Sequence, residues 1–371
     1  MWTEPPQRIS RLTPLHEVLD RIEAEVKSVS PRSFDAKDAI GHILSADVRV
    51  DRALPQSPLA LRDGWAVRAD LTTDASSYAP APVSSAVSVV VGEALPASAD
   101  AVAPYDALTV RAGEPHVQAP VAPGEGVLEQ GADLAAGKAL LRAGQRLDRL
   151  RLALLNACGI SRVQAREPRL VVCSANPGDP VINATVAYIS DCVRAEGAVL
   201  IKDRRTPGLT LTLTRTDADA VIVVGGTGTG RNDIAVATLA HFGRVVVHGI
   251  ALLPAETTAF GMVVGRPVLM LPGRIDGALA AWHVLGKSIL GFLNENDEPE
   301  PLRPAKLTHK VSSPVGIGEL IAVRCDGDYA TPLAAGYIAL SALARANGWI
   351  LVPPENEGYP AHSEVMVRPW P

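Results

Sequence analysis

The chain has only four cysteines in 371 residues, and none are in CxxC spacing. This removes the usual signatures of a zinc ribbon or a redox dithiol. Cys158, Cys173, Cys192 and Cys325 lie in apolar stretches, which reads as free buried thiols in a reducing compartment rather than zinc ligands or a disulfide framework. The eight histidines form no HExxH or other ligand cluster. No GxSxG elbow is present, so a serine hydrolase has no support. The 35 basic and 40 acidic residues give a formal charge of −5 with no basic block, which argues against nucleic acid and anionic membrane as partners. Met1-Trp2-Thr3-Glu4-Pro5 lacks a charged-then-apolar leader. The longest apolar helix candidate, 277–293, contains His283 and Lys287 and reads as a core helix, not a membrane span. The expectation is a cytoplasmic protein of two or three domains.

The most informative feature that is present is Asp219-Ala220-Val221-Ile222-Val223-Val224 running into Gly225-Gly226-Thr227-Gly228-Thr229-Gly230. An apolar, mostly β-branched run closed by glycines predicts a buried strand ending in a tight loop. A helix is expected over 233–242, with Ile234, Ala237 and His241 on one face. Strand, glycine loop and helix point backbone N–H groups and a helix N-terminus at an anion. The loop has no lysine and so is not a GxxxxGK[ST] P-loop. Arg231 stands where the third glycine of GxGxxG would be. A bare turn packing strand on helix is the competing reading.

Elsewhere the periodicity predicts a helix over 12–26, with Thr13 and Pro14 at its start, and a short helix over 35–44. Residues 74–123, rich in Ala, Pro, Ser and Val, read as part of a small all-β domain. Helix is expected again over 139–159. Then strands at 170–173, 198–201, 220–224 and 244–247 alternate with helices, among them 181–196, which argues a parallel sheet. The alternation of Leu209, Leu211 and Leu213 with threonines is a strand signal where that pattern requires a helix, and helix is assigned. Residues 263–268 read as a hairpin, a helix follows from 276, and 295–304 is a polar linker. The remainder, with one helix at 340–347, reads as a small β-rich domain. The domain expectation is a helical linker domain of 1–50 and 140–167, a small β domain of 51–139, an α/β domain of 168–296 and a C-terminal β-rich domain of 304–371.

In this order the pieces resemble the MoeA/gephyrin family of molybdopterin molybdenumtransferases. Asp63-Gly64-Trp65-Ala66-Val67, Ser98-Ala99-Asp100-Ala101-Val102 and Gly225-Gly226 through Gly230 to Asp233 are each similar to a family motif. His248-Gly249-Ile250-Ala251, Ala259-Phe260-Gly261, Leu271-Pro272-Gly273 and Leu343-Ala344-Arg345-Ala346-Asn347-Gly348 complete the series. The resemblance implies a multidomain, elongated α/β-plus-β architecture: a parallel-sheet α/β domain of the molybdopterin-binding type, a small all-β domain and a C-terminal β-rich domain. It also implies a homodimer, molybdopterin or its adenylylated form as ligand, and Mg²⁺. In such enzymes molybdate replaces a leaving group and AMP departs. Phosphates then need N–H groups and cations, and an ion needs placed carboxylates.

The departures from the family fall on those chemical groups. Pro58 stands for a carboxylate and Ala60 for a hydroxyl. The family's Thr-Gly-Asp-Glu loop is Asn176-Pro177-Gly178-Asp179-Pro180, its Asp-Ser-Asn is Ala184-Thr185-Val186, and Gly228 replaces a serine. Lys-Pro-Gly-Lys-Pro becomes Leu253-Pro254-Ala255-Glu256-Thr257, and Leu-Pro-Gly-Asn-Pro becomes Leu271-Pro272-Gly273-Arg274-Ile275. By resemblance, Asp233 and Asp179 are the candidate catalytic acids, with Asp233 also the candidate metal ligand. The candidate ligand-binding set is Gly225, Gly226, Thr227, Gly228, Thr229, Gly230, Arg231, Pro272, Gly273 and Arg274. Against this, Asp233 could simply offset a helix dipole, Asp179 could be a turn residue, the two arginines could be solvated, and Trp65 and Trp349 are most simply core anchors. Three functions stay open: a divergent member that binds a phosphorylated pterin or nucleotide with insertion reduced or lost, an active insertase with a rearranged site, and a ligand-free dimeric scaffold.

Overall fold

The strand that ends in the glycine loop, Ala220–Val224, is buried along its whole length. It sits in a six-stranded sheet whose order is Val199–Leu200, Arg169–Ser174, Ala220–Val224, Arg266–Leu271, Ala259–Val263, Arg244–His248. The structure, a computed structural model, describes residues 7–201, 208–231 and 233–370. The first four strands pair in parallel. This parallel core is as expected; the last two strands add antiparallel pairs at one edge, and the hairpin expected at 263–268 is the turn between Ala259–Val263 and Arg266–Leu271. The cause is local: Val264 and Gly265, both at positive φ, turn Ala259–Val263 straight back onto Arg266–Leu271 and leave no room for a crossover helix.

Chain order and spatial order diverge beside Arg169–Ser174. The connection after it leads outward to Val199–Leu200, whereas Ala220–Val224 lies on its other side. A reversal of this kind opens a crevice at the carboxyl ends of the parallel strands, where α/β sheets bind ligands. The helix Pro180–Ala195 buries Ile182, Ile189, Cys192 and Val193 in a core shared with Ile222, Val224, Trp282 and Leu285. The opposite face of the sheet packs Val221, Val223, Val268 and Met270 on Ala235, Val236 and Leu239 of the helix Ala235–Phe242. That helix therefore buries a different stripe from the one expected, and Ile234 is 59% exposed.

The segment 209–213 is helical, Leu209–Leu213, as assigned. Two other helical expectations fail. Residues 35–44 hold only a 3₁₀ turn, Ala36–Ala39, and then a strand, Ile43–Leu44. Over 139–159 the helix is limited to Arg149–Ala157, while Ala139–Leu141 is a strand paired with Val48–Arg49. Both were runs too short for apolar periodicity to separate strand from helix.

The chain forms two compact units, one of Met1–Ala46, Gly144–Leu152 and Ser161–Pro371, the other of Asp47–Ala143 and Ala153–Ile160. The second is built of short antiparallel strands, with Gly64–Val67 between Val87–Val89 and Ala101–Ala103. Asp63 accepts from Val91 N at 2.8 Å, and a Cβ on Gly64, the first residue of its strand, would lie 2.1 Å from the Ala103 carbonyl oxygen, so Asp63 and Gly64 have a structural role in this sheet. In the first unit the C-terminal strands Gly318–Asp326, Tyr329–Ala334, Arg303–Leu307, Glu364–Pro369 and Gly348–Val352 pair in that order, and the last pairs back with the first. This closed barrel encloses Leu307, Ile321, Val323, Ile350 and Val352. Leu252–Leu253 adds to it in parallel beside Gly318 and Glu319.

Candidate functional site

Three loops meet at the carboxyl edge of the central strands. Gly225 N donates to Leu271 O at 2.9 Å, and Ala175 N donates to Val224 O at 2.9 Å. A Cβ built on Gly225 would lie 3.0 Å from Ile182 Cδ1 and 3.9 Å from both Asn176 Nδ2 and Gly273 Cα. The loops after Ser174, Val224 and Leu271 are thus in contact, and Gly225 and Gly273 are brought together. Gly225 and Gly226 take φ of +92° and +72°, a region L side chains rarely adopt. A Cβ on Gly226 would also press to 2.9 Å from that of Ala235.

Each carbonyl in the next part of the loop, from Gly226 to Gly228, has a side-chain partner. Gln7 Nε2 donates to Gly226 O at 2.8 Å and to Gly228 O at 2.7 Å, and its Oε1 accepts from Ala237 N at 3.3 Å. His248 Nε2 lies 3.0 Å from Thr227 O. A carbonyl only accepts, so Nε2 carries the proton. Thr227 is buried and its hydroxyl lies 2.9 Å from that of Thr257. The helix N-terminus offers an anion less than its sequence suggests, because Ala235 N donates to Gly226 O and Ala237 N to Gln7. Sequence reasoning missed Gln7, which reaches the loop across 219 residues of chain.

The two candidate acids hold backbone. Asp179 is the N-cap of Pro180–Ala195, accepting from Val181 N at 2.8 Å and Ile182 N at 3.1 Å. Asp233 Oδ2 accepts from Gly230 N at 2.9 Å. Among the described residues no group of three or more His, Cys, Asp or Glu is placed to hold a metal ion. A divalent ion at Asp233 would therefore draw most of its ligands from phosphate and water, the usual habit of Mg²⁺.

Of the two candidate cations, Arg231 is exposed. Arg274 binds Asp276 through Nε at 3.1 Å and through a second, shorter contact, and lies over the Tyr337 ring at 4.7 Å. Asp276 is 2% exposed. Its carboxylate also accepts from Gly277 N at 2.9 Å and Ile338 N at 3.0 Å. Hydrogen bonding to Asp276, then the charges of Asp276 and Glu256, push the Arg274 pKa up against the opposing effect of burial. A second buried acid, Glu319, accepts from Gly336 N at 2.6 Å through Oε1, while Oε2 has no partner among the described residues. Its register partner is Leu253, one of the positions where the resemblance places a lysine. Asp276 thus fastens Ile338 to the α/β domain, while Glu319, in the barrel strand Gly318–Asp326, holds Gly336 within the barrel.

A cavity of about 710 Å³ lies elsewhere, lined by Leu19, His283, Lys287, Trp349 and Arg368 among others. It includes no residue of the glycine loop. Lys287 and Arg146 there pair with Glu196, and Arg368 with Glu300. Trp349 is a core anchor, 2% exposed. All four cysteines are free thiols. Among the described residues no helix is long and apolar enough to cross a membrane.

Comparison with known proteins agrees with this geometry. Residues 13–159 match the MoeA N-terminal region (domain I and II), and 181–291 match the "Probable molybdopterin binding domain". The chain is 26% identical to molybdopterin molybdenumtransferase 2 of Mycobacterium tuberculosis, over 94% of this chain and 97% of that protein. Two crystal structures of the molybdopterin biosynthesis MoeA protein of Pyrococcus horikoshii superpose with TM-scores of 0.78 and 0.80. Their identities are 26% and 22%, covering 97% of this chain and 99% and 100% of theirs. The chain belongs to the MoeA-type molybdopterin molybdenumtransferase family, whose field is molybdenum cofactor biosynthesis.

Proposed function

We infer that this chain binds a phosphorylated ligand, molybdopterin or its adenylylated form, at the glycine loop, and that molybdenum insertion is reduced or lost. The observation that carries the reading is the state of the charges around the loop. Glu256 stands where the resemblance places a lysine, and Arg274, which follows the contact of Gly225 with Gly273, is bound by Asp276. Asp179 and Asp233 are engaged by backbone N–H groups. The N–H groups of Thr227, Gly228 and Thr229 supply recognition that survives without strong cations. Asp233 is the carboxylate available to a Mg²⁺ that bridges to ligand phosphate.

The working unit is a homodimer. On the helix Arg149–Ala157, Leu150 is 69% and Leu154 41% exposed, four residues apart on one helix face, which suits burial against a second copy. Sedimentation at micromolar concentration should give twice the 38.9 kDa chain mass; a single 38.9 kDa species would reject the dimer.

An active insertase with a rearranged site is the second reading, favoured by the 26% identity to the mycobacterial protein named as a molybdenumtransferase. Conversion of adenylylated molybdopterin to molybdenum cofactor, read by reconstitution of an apo-molybdoenzyme, decides between them. Turnover comparable with an ordinary family member would overturn the first reading. Calorimetry with molybdopterin, AMP and molybdate tests binding separately, and no heat with any phosphorylated ligand at millimolar concentration would leave the scaffold reading.

A further inference from the structure

We propose that Gln7 is a positioning residue of the anion-binding loop, holding the N–H groups of Thr227 and Thr229 on the face that receives phosphate. The proposal rests on the reading of that loop as a phosphate site. In a trans peptide the carbonyl of one residue and the N–H of the next point in opposite directions. Gly226 O and Gly228 O both face the Gln7 amide, so Thr227 N–H and Thr229 N–H both point away from it, to the same side. Between them, Thr227 O faces His248 Nε2, which turns Gly228 N–H away from the imidazole. Three successive peptide planes are thereby fixed by two side chains.

Glycines at 225, 226, 228 and 230 make this loop costly to order, and preorganised donors bind an anion more strongly than donors that must first be aligned. Gln7 suits the task chemically. Its amide nitrogen donates to both carbonyls, and its oxygen accepts from Ala237 N, which ties the loop to the first turn of the following helix. A carboxylate of the same shape could keep the last bond but would face two carbonyl oxygens with no hydrogen to offer.

The test uses the full chain with inorganic phosphate and AMP as probes. Gln7→Ala should weaken both about tenfold in calorimetry, through the lost preorganisation, while the melting temperature stays within a few degrees. Gln7→Glu should weaken them further. In ligand-free protein, deuterium uptake of the peptide spanning 225–233 should be faster in Gln7→Ala than in wild type. Unchanged or tighter phosphate and AMP binding by Gln7→Ala would overturn the proposal, as expected of a side chain that merely blocks the loop. If wild type itself binds neither probe, the phosphate reading fails on its own. The exchange measurement then still decides whether Gln7 orders the loop, and uptake equal to wild type refutes it.

Discussion

Replacing Asp276 with alanine should destabilise the protein and at the same time strengthen its affinity for phosphate. The buried carboxylate serves Gly277 N and Ile338 N, both of buried residues, as well as Arg274. Hydrogen bonds to a charged group are worth about 1.5–3 kcal/mol each, and a buried N–H left alone incurs its full desolvation penalty. Arg274 is 59% exposed in its side chain, so its ion pair adds at most about 1 kcal/mol. Removing the carboxylate also relieves its own burial. The net loss should be about 3 kcal/mol, seen as a fall in melting temperature of about 6 °C at roughly 2 °C per kcal/mol.

Asp276→Asn keeps one acceptor oxygen and should lose about half as much. In both variants the Arg274 guanidinium is released beside the glycine loop, and AMP should bind about threefold tighter in calorimetry at low salt. Stability and affinity therefore move in opposite directions. A loss in Asp276→Ala below about 0.5 kcal/mol, the range of an ordinary surface change, would show that Asp276 is not the fastening inferred from its contacts. Affinity falling along with stability would show that Asp276 does not restrain Arg274.

A Cβ on Gly228 would lie 2.7 Å from Asp233 Oδ2, so Gly228→Leu should force that carboxylate off Gly230 N and abolish AMP binding in calorimetry without unfolding the chain; retained binding would mean the loop is merely a turn. Leu253→Lys with Glu256→Lys adds about three units of positive charge and should tighten AMP binding in a salt-dependent way, mostly through Glu256→Lys, because Leu253→Lys lies beside Glu319; equal binding by the double variant and wild type would remove Glu256 from the site. Burial lowers the His283 pKa to about 3, so between that value and the unfolded pKa near 6.5 only the unfolded chain takes up a proton. Stability should thus fall as pH falls through this window, by about 2 kcal/mol per site at about pH 5; denaturant unfolding of His283→Leu should show a flatter pH profile, and an unchanged profile would rule His283 out as its source.

The parts of the fold legible in the sequence were those with long, one-sided chemistry. Ala220–Val224 announced itself through four consecutive β-branched residues after Ala220, and Pro180–Ala195 through apolar spacing sustained over four turns. Two-residue and three-residue strands such as Ile43–Leu44 and Ala139–Leu141 carry too few residues for either period to show. The site was half legible. Glycines mark a loop because the backbone itself demands them, as at Gly226. Gln7 and Asp276 left no mark, because each reaches backbone groups of residues distant in sequence, Gly226 and Gly228 for Gln7 and Ile338 for Asp276, and a backbone carbonyl or N–H looks the same under any side chain.

That asymmetry bears on how the departures from the family should be read. A site decaying without constraint would lose charges singly and leave their partners exposed or unpaired. Here the arginine that replaces an asparagine is met by Asp276 and lies in the field of Glu256. The loop keeps its positive-φ glycines and has two side chains fixing its peptides. Glu319 is the exception, a buried acid with one oxygen unpartnered among the described residues, beside the leucine that stands for a lysine. One oxygen lacks its partner among the described residues, while Arg274 is paired with Asp276 and the peptides of the glycine loop are held by Gln7 and His248. An ordered loop of this kind is what the proposed ligand site requires, whereas a scaffold would have no need to hold Thr227 and Thr229 in place.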